Sequence, residues 1–126
     1  MIELGWVTLS GTGNQAYAGL TAMPQFLEII LSQEGGAADS VTRYAIGGTD
    51  GTLERCDSIY ADTTGGDTEK FTNRTIVGKS RVSGNIVKTL EASIVSFDNN
   101  GGGDYGFTLD QQTCTQGFQV AIKAYS

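Results

Sequence analysis

Two acidic stretches are where this sequence first offers chemistry. Asp62, Asp67 and Glu69 form one, and Asp98-Asn99-Asn100-Gly101 followed by Asp104 forms the other. Carboxylate and amide oxygens gathered on loops suit calcium, which takes about six to eight oxygen ligands. Neither stretch has EF-hand spacing, since a glycine falls too early in the second loop and no glutamate closes it. The competing reading is a set of Asx turns on a solvated acidic surface, with the side chains bonding their own backbone. No metal or other cofactor is expected. A pair of carboxylates at suitable separation can also hydrolyse a glycoside, and that is the main enzymatic chemistry left open. Histidine is absent, which removes the usual general base near neutral pH and the commonest transition-metal ligand. Serine and threonine are plentiful, but no Gly-x-Ser-x-Gly elbow presents one as a nucleophile. The expectation is a protein with no catalytic residues.

Binding has better candidates. Trp6, Tyr17, Tyr44, Tyr60, Tyr105 and Tyr125 carry an apolar face with a polar tip, a group that stacks on sugars or anchors an interface. Against this, half-buried aromatics are ordinary packing in strands. With the acidic loops, they make Tyr60, Asp62, Asp67, Asn99, Asp104 and Tyr105 the candidate ligand or interface residues. Gly101 to Gly106 formally matches G-x-G-x-x-G, but a strand-like Phe107-Thr108-Leu109 follows where a dinucleotide site needs a helix N-terminus. It reads as a connection between strands. Asn73-Arg74-Thr75 is a glycosylation sequon to which no function is attached.

The elements that would position these residues are strands. Eighteen glycines and one proline punctuate the chain in clusters such as Gly35-Gly36, Gly47-Gly48, Gly65-Gly66 and Gly101-Gly102-Gly103. Between them apolar residues follow period two: Phe118, Val120, Ile122 and Ala124 alternate with Gln119, Ala121, Lys123 and Tyr125. In 86–97 the same rule puts Ile86, Leu90, Ala92 and Ile94 on one face and Thr89, Glu91 and Ser93 on the other, with a bulge near Val95 turning Phe97 inward. Val41–Ile46 and Leu53–Tyr60 are expected to form a hairpin around Gly48-Thr49-Asp50-Gly51. Pro24 and two isoleucines make 26–31 a central strand. Residues 61–83, polar and threonine-rich, read as a long loop with one or two surface strands around Phe71 and Ile76-Val77. The spacing predicts one all-β domain over 1–126, an antiparallel β-sandwich of jelly-roll type with eight or nine strands.

Composition narrows the partners. Fourteen acidic against eight basic residues give a net charge of −6, which disfavours nucleic acid and anionic membranes. The opening Met1-Ile2-Glu3-Leu4-Gly5-Trp6 lacks the basic and apolar regions of a signal peptide, so synthesis in the cytoplasm without export is expected. Cys56 and Cys114 have no zinc or redox spacing and read as reduced thiols packed as small apolar groups.

The stretches Ala92 to Asn100, Tyr105-Gly106-Phe107-Thr108-Leu109 and Gly117 to Ile122 resemble a pattern of phage structural proteins, a strand ending in Ser-Phe-Asp that meets Gly-Phe-Thr-Leu before an alternating closing strand. Ser10 to Gln15, leading through Pro24-Gln25-Phe26 to Ile29-Ile30, is similar to the opening of the same modules. The inserted Asn100 to Asp104 departs from the pattern, and no ligand site is carried over. The resemblance implies a virion protein, a β-sandwich of a tail fibre, receptor-binding tip or head decoration. Its partners would be itself as a homo-oligomer, such as a trimer, and other virion proteins. The alternative is a lectin-like module that binds a host surface glycan.

Overall fold

The period-two pattern is realised as two stacked sheets in a computed structural model of the chain, which describes residues 1–32 and 41–126. The Gly35-Gly36 turn lies outside the described residues. Among those described there are ten strands and no helix: β1 (Ile2–Leu9), β2 (Gly13–Leu20), β3 (Phe26–Ser32), β4 (Thr42–Thr49), β5 (Glu54–Asp62), β6 (Gly65–Phe71), β7 (Ile76–Val82), β8 (Asn85–Gly101), β9 (Asp104–Cys114) and β10 (Phe118–Tyr125). A six-stranded sheet runs β1-β10-β3-β4-β5-β6 and a four-stranded sheet β2-β9-β8-β7, every pairing antiparallel. The two ends of the chain interleave as in a jelly roll, β10 beside β1 and β9 beside β2. The middle runs as two meanders, β3 to β6 and β7 to β9.

Alternation builds the core as expected. Phe118, Val120, Ile122 and Ala124 of β10 meet Leu27, Ile29 and Leu31 of β3 and Phe107 and Leu109 of β9 in one buried cluster. The pairing of β8 with β9 slips between Ile94 and Ser96, which is the anticipated bulge at Val95, and Phe97 packs against the core. A second bulge was not legible. Leu90 pairs with Gly78 and Lys88 with Lys79, so Thr89 is the extra residue and is buried beside Leu90 instead of facing out. Ile86, expected inside, is half-buried.

Two other expectations need correction. The β4–β5 turn lies at Asp50–Leu53, two residues later than predicted, because Thr49 pairs with Glu54 and Asp50 Oδ1 accepts the amides of Thr52 (2.9 Å) and Leu53 (2.7 Å). The two strands expected around Phe71 and Ile76-Val77 are present as β6 and β7, but the long loop before them is only the short turn between β5 and β6, and Phe71, Ile76 and Val77 belong to the core. The crossover between them passes so close to β4 that a Cβ on Gly47 would overlap the Thr75 carbonyl oxygen, so glycine is required there.

Val120 is fully buried, and an unpaired carboxylate there costs several kcal/mol against a total stability of roughly 5–15 kcal/mol. Val120→Asp should therefore abolish the cooperative thermal melt followed by circular dichroism, while Lys123→Gln, on the outer side of the same strand, keeps it. Equal loss from both would contradict the alternation.

Candidate functional site

The predicted residues divide into two groups. At one end of the sandwich, Tyr60 and Asp62 close β5, Asp67 and Glu69 lie on β6, and Lys79 and Arg81 face them from β7 in the other sheet. Arg81 grips Asp62 through Nε to Oδ2 (2.6 Å) and Nη2 to Oδ1 (3.1 Å), and the Tyr60 hydroxyl donates to Oδ2 (3.1 Å). The amides of Thr64 and Gly65 complete the shell of Asp62. The Lys79 ammonium donates to Asp67 and to Glu69 (2.5 Å) and lies 5.6 Å from the Phe71 ring centroid. The guanidinium of Arg81 holds the Asp62 carboxyl well below the usual carboxylate range. Burial lowers the basicity of Lys79, but its two carboxylate partners outweigh that and raise it overall. Tyr60 is buried, so it is packing and not an exposed anchor.

The second group sits at the β8–β9 tip. Asp104 accepts the Gly19 amide (2.8 Å) and the Asn100 side-chain amide (3.2 Å), and Asn99 Oδ1 accepts the Gly101 amide (3.0 Å). Tyr105 packs half-buried against the core. Asp98 accepts from Ser96 (2.5 Å) and Thr108 (2.6 Å). The oxygens of this loop are thus used to hold a hairpin, the Asx arrangement. Among the described residues no group of three His, Cys, Asp or Glu side chains is placed to hold a metal ion.

β8 separates the two groups. Arg81 bonds Gly84 where β8 begins and Asp104 lies where it ends, 17 residues on. At about 3.3 Å per residue that is a span on the order of 50 Å. The six predicted residues do not form one site.

Of the outer face of the six-stranded sheet, sequence reading named Trp6 and Tyr44 but missed the aliphatic residues around them. Ile2, Leu4 and Trp6 of β1 are 55, 77 and 69 % exposed, and Phe26, Tyr44 and Ile59 are exposed on β3, β4 and β5, with a row of Lys123, Glu28 and Arg55 in register with Leu4. Trp6, Ala121, Ile30 and Ile46 stand in register across four strands. A groove of about 430 Å³ opens among Phe26, Glu28, Gly48, Asp50, Leu53 and Arg55. The other sheet's outer side carries more bonded polar groups: Glu91 bonds Arg74 (3.1 Å) and Thr113 (3.0 Å), and Gln112 bonds Asp110 and Ser93, beside the exposed Val82, Val87 and Val95. The signal for the apolar face is in β1 itself, where the more apolar residues Ile2, Leu4 and Trp6 point out and Glu3, Gly5 and Val7 point in.

Both cysteines are free thiols. Burial pushes the Cys56 thiol up to about 11, and its sulfur accepts the Val77 amide at 3.3 Å. It is a packing group with little thiolate at neutral pH.

Removing the acids leaves a buried ammonium unpaired, whereas removing the lysine leaves two carboxylates that solvent already reaches. The double variant Asp67→Asn/Glu69→Gln should lose about 3 kcal/mol, roughly 10 °C in melting temperature, and Lys79→Met much less. A depressed carboxyl pKa contributes stability that is complete above the unfolded value near 4 and fades as pH falls toward the folded value. The melting temperature should therefore hold above about pH 5 and drop below about pH 4, with Asp62→Asn flattening the drop; an unchanged acid limb would contradict the role of this pair. No protein-family model, curated protein or solved structure matches the chain significantly, so function has to be read from its own surfaces.

Proposed function

We propose that this chain is a non-enzymatic structural protein of a virion, a head decoration or a tail- or fibre-associated module, acting through self-assembly and contacts with other virion proteins. The observation that carries this reading is the difference between the two outer faces. One joins Glu91, Arg74, Thr113 and Gln112 in hydrogen bonds beside the exposed Val82, Val87 and Val95, and the other exposes the larger side chains Ile2, Leu4, Trp6, Phe26, Tyr44 and Ile59. Large exposed apolar side chains gathered on one face, rimmed by charges, mark a place where another surface belongs. The acids support the same view. Asp50, Asp62 and Glu91 are all held below the ordinary carboxylate range, the direction opposite to that of a general acid. The resemblance of the stretches 92–100, 105–109 and 117–122, and of those between Ser10 and Ile30, to phage structural modules supplies the virion context.

A lectin-like role has one observation in its favour, the groove where the exposed ring of Phe26 stands beside Glu28, Asp50 and Arg55. The test that separates the readings is co-sedimentation of the purified chain with particles assembled without it, run beside a glycan array. Saturable, many-copy binding to particles is expected, and Trp6→Ala should weaken it by about 2 kcal/mol, roughly 30-fold. No particle binding, or an array hit lost in Phe26→Ala, would overturn the structural reading.

A further inference from the structure

We propose that two copies of this chain pair through β1, antiparallel about a two-fold axis at Leu4, to make one continuous twelve-stranded sheet. This rests on the reading of the chain as an assembly protein and names its partner as a second copy. A sheet edge presents unpaired amides and carbonyls, which natural proteins guard with charges, bulges or irregular pairing. Three of the four edges here are guarded. β6 carries Asp67, Glu69 and Lys70; β7 carries Lys79 and Arg81 and slips register between Gly78 and Lys79; β2 slips between Tyr17 and Leu20, where Asp104 takes the Gly19 amide. Among the described residues β1 keeps an unbroken register with β10 from Ile2 to Leu9, with no bulge and no outward charge on the strand.

Charge permits the approach. In a chain of net charge −6, the one ionisable side chain of β1 is Glu3, and it turns inward to accept the amides of Thr21 (2.9 Å) and Ala22 (3.2 Å). Two β1 strands meet without like charges between them.

The sequence is also self-complementary in one register. With the axis at Leu4, Leu4 faces its own copy, and Ile2 of each chain faces Trp6 of the other, all on the outer face. Moving the axis to Gly5 sets Ile2 against Thr8, and an odd shift sets Leu4 against Gly5. Taking about 200 Å² for a large side chain, exposures of 55, 77 and 69 % leave about 400 Å² of apolar surface per copy on this strand. Pairing covers the flanks of these side chains and the two backbone edges, which puts the interface at the small, reversible end of the range for specific contacts. Only one edge is open, so pairing is isologous and closes at two copies.

Sedimentation equilibrium over a concentration series tests this directly. The expected result is a reversible dimer, twice the 13.3 kDa chain mass. Leu4→Lys, at an exposed position, should leave the melt unchanged and weaken the dimer at least 30-fold. In a Cys114→Ser background, Leu4→Cys should oxidise to a covalent dimer and Thr8→Cys, on the same face, should not. A monomer at every concentration, a dimer indifferent to Leu4→Lys, or equal cross-linking from both cysteines would overturn the pairing. The two readings fail separately: a wild-type chain that stays monomeric yet binds particles overturns the β1 pairing alone, and a wild-type dimer that binds no particles overturns the virion role alone.

Discussion

The contact between the Thr75 carbonyl and the bare Cα of Gly47 decides how the two sheets meet. At this point the chain leaves one sheet and enters the other, and the crossover is tied to both. The Thr75 amide donates to the Ala92 carbonyl (2.8 Å) and its hydroxyl to Glu54 (2.9 Å), while Glu54 also accepts the Ile94 amide (3.3 Å). With the crossover fixed there, β7 has to lie across β4 and β5. That brings Ile76 and Val77 into the core and sets Lys79 and Arg81 over the acids of β5 and β6. The ion pairs follow from the close approach and are not an independent feature.

The strands with one strong face were legible because period two and burial coincide in them. β10 is the plainest example, and β8 gave up even its bulge at Val95, since a break in alternation between Ile94 and Phe97 has few other causes. In the 61–83 region the strands were legible but their burial was not, for two physical reasons. Its apolar residues are split by the polar crossover Thr72-Asn73-Arg74-Thr75, and one of its buried positions is held by Lys79, whose charge reads as surface until Asp67 and Glu69 are placed beside it. A buried lysine is visible only to a reader who already knows the sheet pairing. The bulge at Thr89 was hidden likewise, because it depends on the partner strand's register.

How the acidic candidates are used was not legible for a related reason. Acidic loop residues attract attention as ligands, but the same oxygens are what hairpins use to hold their own amides, and Asp62, Asn99 and Asp104 are used that way. In β1 the hydrophobicity rule assigns the wrong face, because a side chain is apolar for whatever will cover it, and for Ile2, Leu4 and Trp6 that is not this chain's own core. Val7 and Leu9 set the phase of the strand, and Glu3 is accommodated inside by two amides.

The interleaving of the two ends of the chain has a consequence for how the molecule forms. β1 finds its neighbour only in β10 and β2 only in β9, so the first strands to be made wait for the last. Closing such long loops before any contact rewards it is the entropic burden that slows β-sandwich folding. The meanders β3 to β6 and β7 to β9 are free to pair as they emerge, each strand with its neighbour in sequence. During synthesis the open flank of β3 therefore stands bare until β10 arrives, and the sandwich cannot shut until nearly all of these residues have left the ribosome.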